Sequence, residues 1–257
     1  MVTDFEKFKA LHHAEKLFIL PNAWDAKSAK LLAEAGYPAI GTSSAAVATS
    51  LGYEDGEGMP FADYLFVIRR ILSSVDVPVT VDLEMGYGKT NDEIVENCRR
   101  IIELGVAGIN IEDSIINQST RSLGNAKQFA NRIGYIKNKL GAEHLSLFIN
   151  IRCDTYILNV PDKQKETLSR LKIYQATGAD GIFLPCISDE NDIAAAVAGS
   201  TLPLNIMCLP GLSNPARLDT LGVKRLSMGP FLFNKVYKNA AELAQRVLSD
   251  NDVSPIM

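Results

Sequence analysis

Carboxylates embedded in strand-like apolar runs are where this 257-residue sequence could do chemistry. In Asp82-Leu83-Glu84-Met85-Gly86-Tyr87-Gly88 the two acids stand two apart, a spacing that in an extended strand puts both side chains on one face. Asn110 and Glu112 repeat the spacing, and Asn150, Arg152 and Asp154 form a third set. Strands buried on both faces normally read as runs of Val, Ile and Leu, so charges within them call for an explanation. Three inward carboxylates together with Asp55, from Gly52-Tyr53-Glu54-Asp55-Gly56, would repel one another in a low-dielectric pocket unless protons or a cation compensated them. No His or Cys accompanies them, which disfavours zinc and favours a hard divalent cation, magnesium with manganese as its substitute. Such an ion suits one direct carboxylate and others reached through water, so Asp55, Asp82, Glu84 and Glu112 are the candidate metal residues. For each acid alone, capping a helix or pairing with Arg152 is the competing structural role.

Arg152 itself has two readings: a partner for Glu112, or a planar fork gripping an anionic substrate. Gly41-Thr42-Ser43-Ser44-Ala45-Ala46 adds hydroxyls and small residues through which backbone amides could approach an anion. A small anionic substrate satisfies both.

The elements that must position these groups follow from hydrophobic period. Short apolar runs at 18–21, 39–43, 77–84, 108–113, 145–154, 181–185, 204–209 and 225–228 predict eight strands. Between and after them, apolar residues at three- and four-residue spacing predict helices over 26–35, 61–74, 91–104, 126–140, 162–176, 190–197, 214–221 and 231–248. Gly36, Gly105, Gly178 and Gly222 each fall where a helix should stop before a strand, and Val77-Pro78 and Leu202-Pro203 open two strands. The class is therefore α/β, and the expected architecture is a single (β/α)8 TIM barrel over 1–257. An open doubly wound sheet is the competitor, but no G-x-G-x-x-G fingerprint accompanies it. In a barrel every charged position above falls at the C-terminal rim, where such folds build active sites.

Composition removes other classes. A net charge of −4 and no basic patch argue against nucleic acid. No apolar run reaches the roughly 18–20 residues that span a bilayer, and the first nine residues are polar, so a soluble, cytoplasmic protein is expected without a membrane partner. Cys98, Cys153, Cys186 and Cys208 form no C-x-x-C pair and read as small buried hydrophobes. His12 and His13 lie in a polar amphipathic N-terminal stretch and His144 precedes a strand rather than following one, which makes histidine chemistry unexpected.

Taken together, Pro21-Asn22-Ala23-Trp24-Asp25, Gly41-Thr42-Ser43-Ser44, Gly52 to Gly56, Asp82 to Gly88, Ile109-Asn110-Ile111-Glu112-Asp113, Asn150-Ile151-Arg152-Cys153-Asp154, Gly178-Ala179-Asp180 and Ser227-Met228-Gly229-Pro230 closely resemble the isocitrate lyase and phosphoenolpyruvate mutase superfamily. The resemblance implies a β/α barrel whose last helix is exchanged between subunits, a homotetramer built as a dimer of dimers, and magnesium beside a 2-oxo acid or enolate. By it, Asp82 holds the metal and Asp55, Glu84 and Glu112 contact its waters. Ser43, Ser44 and Ala45 bind the substrate carboxylate and Arg152 its other anionic end. The authentic lyases carry a Lys-x-Cys-Gly-His loop after the Glu-Asp pair, whereas this chain reads Ser114-Ile115-Ile116-Asn117-Gln118-Ser119-Thr120-Arg121. The phosphonate-forming enzymes place lysine and asparagine there; Gln118 and Thr120 stand nearest in this chain. With Asp-Leu-Glu in place of Asp-x-Asp, the chain resembles a mutase-like subgroup.

The expected function is thus a magnesium-dependent lyase or mutase-like enzyme that forms a pyruvate-type enolate from a small 2-oxo or 2-hydroxy acid. Arg152, Glu112 and Tyr87 are the candidate catalytic residues, with Tyr87, a rim carboxylate or water as proton source. Decarboxylation of an oxaloacetate-like acid demands the least specialised acid. C–P chemistry on a phosphonopyruvate-like compound, and a non-catalytic 2-oxo acid binder, are the alternatives.

Overall fold

Proline decides how the barrel closes. A computed structural model describes residues 2–118 and 120–257, so Ser119 of the loop considered above, and Met1, lie outside the described residues. The first strand is interrupted at Pro21, which has no N–H to donate. Its first half, β1 (Phe18–Leu20), and its second half, β2 (Asn22–Ala23), take different neighbours. β1 pairs in parallel with β11 (Arg225–Ser227), and β2 pairs in parallel with β3 (Ile40–Thr42). Between these ends run β4 (Val79–Asp82), β5 (Gly108–Glu112), β8 (Phe148–Arg152), β9 (Gly181–Leu184) and β10 (Leu204–Met207), all parallel. Counting the split strand once, the eight expected strands close into a parallel barrel.

The helices start and stop where local chemistry dictates. Thr90 and Glu93 form a capping box at the start of α5 (Asn91–Leu104), and Asp25 with Ser28 does so for α2 (Ala26–Glu34). Gly36, Gly105 and Gly222 adopt positive φ within two residues of a helix end, which bears out their role as helix stops; Gly178 also has positive φ but lies four residues beyond Tyr174, where the preceding helix ends. α4 (Phe61–Leu72), α6 (Ala126–Ala142), α7 (Lys163–Tyr174), α8 (Glu190–Ala198), α9 (Pro215–Leu221) and α10 (Phe231–Asp250) occupy the other expected helical stretches. Their buried faces pack on the strands around one contiguous core that includes Ile68, Ile94, Ile133 and Leu171. None of the described helices is long and apolar enough to cross a membrane.

Four elements depart from expectation. α1 (Asp4–His12) caps the N-terminal mouth of the barrel, burying Phe8 and His12 against Phe18 and Phe148. α3 (Ser44–Ser50) begins directly after β3, because the Ser43 side chain accepts from Ala46 N and caps it. The loop after β5 is a hairpin, β6 (Ser114–Asn117) against β7 (Thr120–Leu123). The third strand, expected to run to residue 84, ends at Asp82, and Glu84 turns into the left-handed region at φ 52°. Asp82 and Glu84 are therefore not strand neighbours on one face; the two-residue period fails where the strand does.

Candidate active site

A cavity of about 220 Å³ opens at the C-terminal rim. One side is polar: Asn22, Ser43, Ser44, Ala45, Asp55, Asp82, Asn110 and Arg152. The facing wall is largely apolar, made by Ile157, Phe183, Pro185, Met207 and Pro230. The volume is below the roughly 300–1,000 Å³ of sites for drug-sized ligands and suits a small organic acid.

Asp82 is the most firmly placed carboxylate. Its backbone N donates to Thr42 Oγ1 at 3.1 Å, and Tyr64 Oη donates to its carbonyl at 3.0 Å. Its Oδ2 accepts from Ser44 Oγ at 2.9 Å, and Asn110 Nδ2 lies 3.5 Å from Oδ1. Ser44 Oγ is also 3.4 Å from Asp55 Oδ1, so one hydroxyl bridges two acids. Ser44 and Ala45 open α3, where first-turn N–H groups lack intrahelical acceptors and face the cavity rim.

Glu84 and Glu112 stand behind this front. Glu84 accepts from Glu57 N at 2.7 Å and from Tyr87 Oη at 2.9 Å. Burial, reinforced by Asp55 and Asp82, pushes its carboxyl up to about 8. Burial likewise raises Asp82, opposed by the Arg152 guanidinium. Glu112 accepts from Ser114 Oγ at 2.7 Å and pairs with Arg121 and with Arg152, whose Nη1 is 2.9 Å from Oε2. Burial pushes it up to about 7 despite both arginines.

Of the two readings of Arg152, the structure displays the ion-paired one. Its Nε and Nη2 donate to the two oxygens of Asp154, at 2.6 and 3.2 Å, leaving Nη1 between Glu112 and Asp82. Asp154, fully buried, thereby fixes the plane of the fork. Tyr87 is set back: it does not line the cavity, its ring packs on Phe61 and Tyr64, and its hydroxyl serves Glu84. Burial and the adjacent Glu84 charge raise the phenol far above its ordinary value.

Arg121 and Glu57 were not among the residues singled out, and Asp154, noted in the third set, was given no role. Arg121 reaches the rim because the hairpin folds back, with Nη2 3.8 Å from Asp55 and Nη1 3.7 Å from Asp154. The alternation around it was its only signal. Glu57 sits between two glycines at φ 62° and accepts from Tyr87 N at 2.6 Å. Nothing local in the sequence marks it.

The four acids expected to serve a metal do not converge as a ready cage. Among the described residues, no three His, Cys, Asp or Glu side chains form a metal-holding group. The donor set nonetheless fits a hard cation held mainly through water. Five acids (Asp55, Asp82, Glu84, Glu112 and Asp154) face two guanidiniums (Arg121 and Arg152), and three of the five are pushed upward. Such an oxygen-rich excess of negative charge is what a partly hydrated divalent ion neutralises.

Comparison with known proteins gives the family. The family model described as phosphoenolpyruvate phosphomutase matches residues 8–248. An uncharacterised protein of Mycobacterium tuberculosis is 35% identical over 248 residues, 96% of this chain and 91% of that protein. An oxaloacetate decarboxylase of Pseudomonas syringae pv. tomato is 29% identical over 228 residues, 84% of this chain and 75% of that enzyme. A crystal structure from Burkholderia cenocepacia J2315, provisionally described as a phosphonomutase, is 35% identical and superposes with a TM-score of 0.88, covering 95% of this chain and 98% of that one. The chain is an enzyme of the phosphoenolpyruvate phosphomutase family.

Proposed function

We propose that this enzyme cleaves the carbon–carbon bond one carbon removed from the keto group of a small 2-oxo dicarboxylate, with decarboxylation of an oxaloacetate-type acid as the specific reaction. The observation that carries the reading is the pairing of Asp55 and Asp82 on Ser44 Oγ, with Arg152 Nη1 beside Asp82 on the same polar side of the cavity. A magnesium or manganese ion held by Asp82, with Asp55, Glu84 and Glu112 reached through water, would supply Lewis-acid stabilisation of negative charge on the substrate's keto oxygen.

In the proposed reaction the C3–C4 bond breaks, carbon dioxide leaves, and the electron pair is delocalised as an enolate onto the keto oxygen. A proton then returns to C3. Ser44 and Ala45 amides at the start of α3 orient the C1 carboxylate, with the Ser43 hydroxyl spent on the helix cap. Arg152, its plane locked by Asp154 and its charge shared with Glu112, presents Nη1 to the developing anion. Tyr87 serves by holding Glu84 in place, and water in the cavity supplies the C3 proton.

The lining of the cavity favours this over C–P chemistry. Arg152 is the one cationic side chain lining the cavity among the described residues, and three acids share its charge. A phosphonate dianion carries one more negative charge than the carboxylate it would replace and is less well balanced here, whereas carbon dioxide leaves as a neutral molecule past Ile157, Pro185 and Met207. Steady-state assays of oxaloacetate, phosphonopyruvate and methylisocitrate, each with magnesium and with chelator, test the proposal. Magnesium-dependent release of pyruvate from oxaloacetate is expected; turnover of phosphonopyruvate or methylisocitrate alone overturns it.

A further inference from the structure

Beneath the cavity floor lies a guanidinium without a counter-ion. Arg225, on β11, is fully buried and forms no ion pair among the described residues. Its Nη2 donates to Asn110 Oδ1 at 3.0 Å, its Nη1 is 3.4 Å from His12 Nε2, and its Nε has no partner. His12 Nδ1 is 2.9 Å from the Phe8 carbonyl, an acceptor, so Nδ1 carries the proton and Nε2 accepts from Arg225. Burial, aided by Arg225, pushes the His12 imidazole well down, so this neighbour is neutral. Burial also pushes Arg225 down to about 9, which still leaves it charged at neutral pH.

An isolated buried charge is strongly destabilising unless something compensates it. The route to negative charge runs upward through one amide. Asn110 Oδ1 accepts from Arg225 and from Asn150 Nδ2, at 2.8 Å, so its Nδ2 edge must face Asp82. Asn150 is in turn held by Asn205 Nδ2, and a Cβ at Gly181 would fall 2.7 Å from Asn150 Oδ1. The glycine leaves room for this row of amides across the barrel. Asn110 and Phe183 both line the cavity, and the Arg225 guanidinium lies 5.9 Å from the Phe183 ring centroid.

We propose that Arg225 is a positioning residue: it locks Asn110 with its N–H edge toward Asp82 and supplies, through the cavity floor, a positive potential for the anionic ligand bound above. The proposal rests on reading the cavity as an anion site beside a cation. It requires that loss of the charge weaken the anion without weakening the cation, because a charge that attracts the anion does not help the cation.

Arg225→Met removes the charge with little loss of volume. Manganese binding, then oxalate binding to the manganese-loaded protein, would be measured by calorimetry beside Tm. Oxalate is expected to weaken about tenfold or more, with manganese affinity unchanged or tighter and Tm not lowered. Oxalate affinity within twofold of wild type, or both ligands weakening together with a fall in Tm, overturns the proposal. If the methionine variant does not fold, Arg225→Gln is read against the same outcomes. A wild-type protein that binds neither probe removes the functional reading instead. The crystal structure of the glutamine variant then decides here: the Asn110 side chain must have shifted away from Asp82 Oδ1 with Asp82 itself in place, and finding Asn110 unmoved overturns the proposal.

Discussion

Asp82 and Glu84 are both acids at the end of one strand, and the backbone gives them different work. Asp82 is still in register with Asn110 and faces the cavity, while Glu84 is turned back into a pocket closed by Tyr87 and the Glu57 amide. Asp82→Asn should abolish metal-activated turnover. Ser44→Ala, which removes only the hydroxyl shared by two acids, should weaken magnesium activation by about 10- to 100-fold, the usual effect of losing an outer-shell partner. Titration of activity against magnesium separates the two. Glu84 also makes a pH prediction. Its folded carboxyl is raised to about 8 from an ordinary 4.5, so the folded chain keeps a proton that the unfolded chain releases. Its stabilising contribution is full below the unfolded value and is lost as pH rises toward 8. In chelator, Tm should therefore fall between pH 5 and pH 8, and Glu84→Gln should flatten the slope. A wild-type Tm that rises across that interval contradicts the assignment. The acids were legible in the sequence because charge in an apolar strand is conspicuous. The turn at Leu83 and Glu84 was not, since period two says nothing about where a strand stops.

Among the elements, the hairpin of β6 and β7 carries the least obvious function. It brings Arg121 onto Glu112 and within 4 Å of Asp55 and Asp154, joining the loop to three acids of the rim. Arg121→Ala should loosen the hairpin, raise its sensitivity to limited proteolysis, and reduce kcat/KM by up to about 100-fold through misplacement of the groups it ties together. Unchanged proteolysis and kinetics would show that the hairpin holds without it. Gly181 belongs to the same scale: Gly181→Ala pushes a Cβ against an amide already fixed by Asn205, and should destabilise the barrel by about 1–3 kcal/mol, measured by urea unfolding. The eight strands and eight helices were readable because each has a clear period and a glycine or proline boundary. The hairpin, α1 and α3 were not. Their stability comes from contacts remote in sequence: Arg121 on Glu112, His12 against Phe148, and the Ser44 hydroxyl at the start of α3 on Asp82.

For the molecule as a whole, α10 is the part left unaccounted for by a lone barrel. Only Phe233 is buried, against Trp24, while Val236, Tyr237 and Leu248 remain exposed. Apolar residues on one side of a long exposed helix suit packing on another copy, as the expected exchange of the last helix requires. We expect light scattering to show an oligomer, and Val236→Asp with Tyr237→Asp to dissociate it; a monomeric wild type removes the exchange. Periodicity revealed the helix, but which barrel it covers is a property of the assembly and is not written in one chain's pattern.

The break at Pro21 has a kinetic consequence. Phe18 pairs with Arg225 and Ile19 with Leu226, so the barrel's circumference is completed only when residues some 200 positions apart meet. Loop closure of that span is entropically the most demanding of the barrel's pairings, and only the three residues of β1 secure it. Folding should therefore finish at this seam, and a chain lacking β11 would be left as an open sheet with β1 unpaired. In the native protein the same seam should be the first part of the barrel to open, read as faster amide exchange at Ile19 and Leu226 than at Ile109 and Ile149.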